Sequence, residues 1–219
     1  MCMITLFFLA FVKKDDIIKV IIHTSQQLCE RLLQQGGDSM LLTYQECLDK
    51  YGSDYQLKKE IGSETLFMKE KGIYSTKRNT SEIDVIMKKY PKTVCTGKSA
   101  FYYHSLTDVI PDYYYLASKR TDTRIKDPRI IQSFLKDEIF DAGITEIQYN
   151  NSSIRIYDRE RMLIELMRFK SKIPMDYYKE IIGNYRKLSF ELDFGIVEDY
   201  AAMFKSGSKF MHMIQMEVL

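Results

Sequence analysis

Apolar and polar positions change rhythm several times along this chain, and the sharpest change falls within residues 152–170. Ile154 and Ile156 alternate with Arg155 and Tyr157, the period of two expected of a strand with one buried face. Asp158 stands next, where a carboxylate can cap a helix. From Arg159 the apolar residues Met162, Leu163, Leu166, Met167 and Phe169 keep helical spacing. Arg161, Glu165 and Arg168 line another face, four and three residues apart, so Glu165 can pair with both arginines.

Towards the N-terminus, residues 16–35 read as a helix weakened by the β-branched run 17–22 and ended by Gly36-Gly37. Thr43 and Glu46 form a capping-box pattern that starts a second helix, and Gly52 stops it. Ser53 and Gln56 repeat the arrangement for a third, which ends at Gly62. Residues 65–70 and 73–76 read as strands joined across Lys71-Gly72. Three helices and a hairpin is the order of a winged helix-turn-helix.

The polar run 77–80 marks a domain boundary. Beyond it the pattern mixes helices at 81–90, before Pro91, and 99–106 with strands at 94–95, 113–118, 130–135, 146–149 and 153–157. From Asp158 it is helical, at 158–170, 176–187, 194–204 and 210–218. The expected fold is α+β. An N-terminal extension and first helix (1–37) precede a winged helix-turn-helix (38–80), and a mixed α/β C-terminal domain (81–219) ends in a helical bundle.

The string from Ile154 to Lys170, I-R-I-Y-D-R-E-R-x-x-x-E-L-x-R-F-K, closely resembles the signature segment of the AbiEi family. These are the antitoxin halves of bacterial type IV (abortive-infection) toxin–antitoxin systems. Ser99-Ala100 through His104, Leu106 and Thr107 resembles the family's Ser-Ala-x-x-x-His-x-Leu-Thr helix, and 111–118 the strand that follows it. Residues 177–185 and 199–203 are similar to its later helices, so the resemblance spans roughly 38–219. Met162 and Glu165 depart from the residues the family often carries. Met162 lies on the apolar face, and Glu165 keeps a carboxylate. The resemblance implies a cytoplasmic regulator that binds the promoter of its own operon and represses it. It also implies neutralisation of a nucleotidyltransferase toxin without a stable complex, and neither cofactor nor metal.

Composition changes this picture little. The chain has 219 residues, 45% hydrophobic and 13% aromatic, enough for real cores. A formal charge of +2 does not by itself mark a nucleic-acid binder. The cysteines at 2, 29, 47 and 95 form no C-x-x-C pair, and with three histidines they offer no zinc spacing. Residues 1–12 are almost wholly apolar but have no basic segment before them and no cleavage pattern after them, and they are too short to span a bilayer. Two readings stay open for them: a start codon set too far upstream, or a short helix packed on the domain. No membrane partner is expected.

In a winged helix the third helix enters the major groove and the wing touches the backbone. The expected contacts are therefore Ser53, Tyr55, Gln56, Lys58 and Lys59, with Lys69 and Lys71 on the wing. Residues 58–78 hold six basic side chains against three acidic ones, but 38–80 as a whole balance at seven each. A winged helix turned into a protein-docking module with a solvated charged face is the competing reading. Lys119, Arg120, Arg124, Lys126 and Arg129 form a second basic run broken by Asp122 and Asp127. The resemblance implies that this run, with Arg155 and Arg159, helps to hold DNA; a solvated loop is the alternative.

Enzyme signals fail at the level of pattern. Gly97-Lys98-Ser99 ends like a phosphate-binding loop, yet Lys92 stands where the motif needs glycine. Gly52-Ser53 and Gly62-Ser63 have the Gly-Ser of nucleotidyltransferases, but the chain contains no Asp-x-Asp for metal ions. His104 has Ser99, Ser105 and Cys95 nearby in sequence and no motif-placed carboxylate to orient it, so a structural histidine is expected. The methionines and phenylalanines of 203–216 read as adaptable packing or a partner surface.

Overall fold

The computed structural model describes residues 41–150 and 152–219. The helix expected at 16–35 and the apolar stretch 1–12 lie outside the described residues. Residues 41–219 form one compact unit of mixed α and β structure, with two sheets.

The first part runs β1 (Leu41–Thr43), α1 (Tyr44–Tyr51), α2 (Asp54–Gly62), β2 (Phe67–Glu70) and β3 (Ile73–Ser75). Its local chemistry is short-range. Thr43 Oγ1 accepts the Glu46 N–H while Glu46 accepts the Thr43 N–H at 2.7 Å, closing the capping box. Gly52 ends α1 in the left-handed region at φ 83°, which favours glycine. Ser53 caps α2 through the Gln56 N–H, and Gly72 turns the hairpin at φ 84°. β1 was not expected, because three residues carry no readable period. It pairs antiparallel with β3, giving sheet order β1-β3-β2 over a small core of Leu42, Cys47, Leu57, Leu66 and Tyr74.

A second, larger core follows. α3 (Glu82–Lys89), β4 (Val94–Cys95), α4 (Gly97–Tyr103), β5 (Tyr114–Lys119), β6 (Ile130–Leu135), α5 (Asp137–Asp141), β7 (Ile144–Tyr149) and β8 (Ser152–Tyr157) build a five-stranded mixed sheet, ordered β6-β5-β4-β8-β7. β4 lies parallel to β8 and antiparallel to β5, while β7 and β8 form an antiparallel pair in register from Ile144↔Tyr157 to Tyr149↔Ser152. Four helices complete the chain: α6 (Arg159–Phe169), α7 (Met175–Lys187), α8 (Phe194–Ala202) and α9 (Gly207–Glu217). The helix expected at 99–106 starts two residues earlier and stops at Tyr103, and α5 was missed because five residues show no helical period.

α6 differs most from its sequence pattern. Asp158 caps it as expected, accepting the Arg161 N–H at 2.7 Å. All seven residues from Arg161 to Met167 are buried, so no solvent face exists there. The helix packs against α4, α8 and α9, and the expected charged face becomes interior. Among the described residues no helix is long and apolar enough to cross a membrane.

Candidate nucleic-acid interface

The strand-helix-helix-hairpin leaves one face of α2 outward. Leu57 anchors the helix in the small core, whereas Tyr55 is 75% exposed and Gln56, Lys58 and Lys59 are exposed beside it. Lys58 pairs with Asp54 at 2.7 Å one turn back, an exposed contact that water and salt screen. Ser53 is engaged as the α2 cap, so its hydroxyl serves the helix first. On the hairpin, Lys71 is exposed at the turn. Lys69 differs: its ammonium donates to the Arg78 carbonyl and lies 5.5 Å from the Phe67 ring centre. Burial, with the Arg78 charge beside it, lowers the Lys69 pKa.

The hairpin is fastened at its base by an ion-pair network. Glu70 accepts from Lys89 at 2.7 Å and from Arg129 at 2.6 Å. Arg129 also binds Asp127 at 2.7 Å and Glu82 at 2.8 Å, and Lys89 reaches Asp127 at 3.2 Å. Hydrogen bonds from Arg129 hold the half-buried Asp127 far below the usual carboxylate range; the Asp127 bond in turn raises Arg129, and the Glu70 bond raises Lys89. Arg129 is therefore withdrawn from the expected DNA contacts, because its guanidinium is shared among three carboxylates of this chain. Sequence offered no signal for the network, whose members come from three separate segments.

The remainder of the second basic run is more open. Arg120, Arg124 and Lys126 are exposed and have no ion pair among the described residues, while Lys119 pairs with the exposed Asp141 at 2.6 Å. Asp127 and Arg129 fix one end of this loop beside Glu70, whereas Arg120 stands at the opposite end of β5, where its N–H bonds the Leu135 carbonyl. Arg155 donates to the Pro91 carbonyl at 3.1 Å, and Arg159 pairs with Glu191 at 3.0 Å; both keep further donors.

Arg161, Glu165 and Arg168 come together as a buried cluster. Glu165 Oε1 stands 2.7 Å from Arg161 Nη2, and Arg168 donates to both Glu165 oxygens at 2.8 and 2.6 Å. The Arg161 contact is Coulombic: none of its three guanidinium nitrogens has a well-directed hydrogen bond. Its plane lies 5.0 Å from the Phe204 ring centre and 5.4 Å from that of Tyr157, and Arg168 meets Phe204 at 4.7 Å. Such an arrangement stiffens the helical layer.

The Ser99 and His104 side chains are bonded to backbone. Ser99 Oγ donates to the Tyr113 carbonyl at 3.2 Å and accepts the Tyr115 N–H at 2.9 Å. His104 Nε2 lies 2.7 Å from the Tyr157 carbonyl, so that nitrogen carries the proton. Burial lowers the His104 pKa, against the opposing Tyr157 bond and with Arg159 adding to the drop and Glu160 opposing it. Burial also pushes the Cys95 thiol far up, leaving no thiolate nucleophile. Among the described residues no group of His, Cys, Asp or Glu is placed to hold a metal ion.

His104 makes a pH prediction. A histidine whose folded pKa is depressed is protonated first in the unfolded chain, so its stabilisation is complete above about pH 6.5 and is lost as pH falls. The unfolding free energy should drop as pH falls below about 6.5, with a slope of up to ~1.4 kcal/mol per pH unit. In urea titrations the difference between the native chain and His104→Gln should carry that slope. Parallel curves for the two proteins across the window would show that His104 is not the group responsible.

The sequence matches no protein-family model and no curated protein.

Proposed function

We propose that this chain is a cytoplasmic DNA-binding autorepressor and the antitoxin of a type IV toxin–antitoxin system, paired with a nucleotidyltransferase toxin. The observation that carries the reading is the first part of the fold: α2 presents Tyr55, Gln56, Lys58 and Lys59 outward next to a two-stranded hairpin tipped by Lys71. Strand, two helices and hairpin are compatible with a winged helix, in which such a helix would read bases and the hairpin touch phosphates. Arg120, Arg124 and Lys126, exposed and without ion pairs among the described residues, would add sequence-independent phosphate contacts from the second basic run. The antitoxin half of the proposal rests on the resemblance of residues 99–108 and 154–170.

Gel-shift titration against the DNA upstream of its own coding sequence, at two salt concentrations, tests the reading. Lys58→Ala with Lys59→Ala should abolish discrimination between that DNA and an unrelated duplex. Arg120→Ala with Arg124→Ala should leave discrimination intact while lowering the salt slope by about 0.9 per lost phosphate contact. No binding at low salt would sink the regulator. Co-expression should restore growth of cells carrying the toxin, without co-purification of the pair.

A second reading has its own support: residues 38–80 carry no net charge, and Tyr55 and Met68 are exposed apolar groups on that part. It makes the winged helix a protein-docking module, and it predicts failure of the gel shift at every salt concentration.

A further inference from the structure

A cavity of about 420 Å³ opens between the larger sheet and helices α4, α6 and α7. Its size is that of a small-molecule site rather than of a packing defect. Most of its wall is apolar, from Phe101, Tyr115, Ile131, Phe169, Ile173 and Tyr177. Three cations join that wall, Lys98, Arg168 and Lys172, against the single carboxylate of Glu165. Glu165 is already shared between Arg161 and Arg168, so it cannot neutralise the lysines. Lys98 and Lys172 have no carboxylate partner among the described residues; each rests by an aromatic ring, 5.9 Å from the Tyr177 centre and 5.6 Å from the Phe169 centre.

The Tyr177 hydroxyl is shut off from solvent, so a molecule in the cavity meets its ring and not its oxygen. The same ring and Lys98 also line an adjoining cavity of about 240 Å³, bordered by Val109, Ile110, Pro111 and Pro174. Uncompensated cations on an apolar wall concentrate positive potential there.

We infer that this cavity is a binding site for a small organic anion with an aromatic or aliphatic body. The body lies on Phe101, Tyr115 and Phe169, and the anionic head is held by Lys98 and Lys172. An exposed nucleic-acid strand does not fit the apolar lining, so the site is separate from the proposed DNA surface and does not depend on it.

The full chain contains no tryptophan, which leaves the fluorescence of added naphthalene probes clean. The test compares 8-anilino-1-naphthalenesulfonate with N-phenyl-1-naphthylamine, the same molecule without its sulfonate. The sulfonate should bind saturably at one site, with the neutral analogue weaker by roughly tenfold or more, the size expected of a lost charge-assisted contact. Lys98→Met with Lys172→Met should raise the sulfonate Kd by about tenfold and erase the difference between the probes. Ser133→Phe, which fills the cavity from β6, should remove binding of both. Equal affinity of the two probes for the native chain overturns the inference without any variant. So does binding at several sites, or a double lysine variant within about twofold of native.

Discussion

Glu165→Ala is expected to lower the melting temperature by roughly 6–20 °C. Arg161 is fully buried, and Glu165, at 2.7 Å, is the one carboxylate among the described residues that pairs with it. Removing one partner of a buried pair leaves an uncompensated charge and costs about 3–5 kcal/mol. For a chain of this size each kcal/mol is worth about 2–4 °C. Arg161→Met should cost far less, within about 1.5 kcal/mol, because the replacement is apolar and similar in volume. Glu165 then keeps both contacts to Arg168. The order of effects is the sharp part of the prediction. Thermal unfolding followed by circular dichroism reads it, and an Arg161→Met chain less stable than Glu165→Ala would refute the account of the cluster.

Gly207→Ala should cost about 3 kcal/mol, a fall of roughly 6–12 °C, by the overpacking of a site that cannot yield. Gly207 is the first residue of α9 and is buried against the end of α8. A methyl carbon placed there would stand 2.1 Å from the Ala201 carbonyl oxygen and 2.7 Å from its carbon. Both are backbone atoms, so relief requires α9 to move away from α8. Limited proteolysis should then cut ahead of α9 faster than in the native chain. Gly183→Ala is the matched control, since nothing lies within 4 Å of its added carbon and α7 is helical there. It should stabilise by up to ~1 kcal/mol through helix propensity alone. Equal melting temperatures for the two variants would show that the α8–α9 contact is not tight.

What could be read from sequence was local. The Thr43–Glu46 capping box, the stop at Gly52, the Ser53 and Asp158 caps, the Lys71-Gly72 turn and the strand at 130–135 all sit where their residues predict. Each depends on partners within a few positions, where the chain itself holds the groups together. The short elements β1 and α5 escaped, being shorter than the periods that would reveal them. Of the expected DNA contacts, Tyr55, Gln56, Lys58, Lys59, Lys71, Arg120, Arg124 and Lys126 are exposed, which is what spacing on α2 and a polar loop composition imply.

Partners distant in sequence were decided by tertiary structure alone. Arg129 looks like any other member of a basic run until Glu70 and Glu82 arrive from elements more than forty residues away and claim its guanidinium. Lys98 and Lys172 are ordinary surface cations in sequence, and only the packing of α4, α6 and α7 sets them on one apolar wall. The segment 152–170 divides along the same line. Its change of period and its Asp158 cap follow from the order of residues, because alternation and capping act over one turn. Whether the face carrying Arg161 and Glu165 meets water or the interior was settled by α8 and α9, since periodicity specifies which residues share a face and not what covers it.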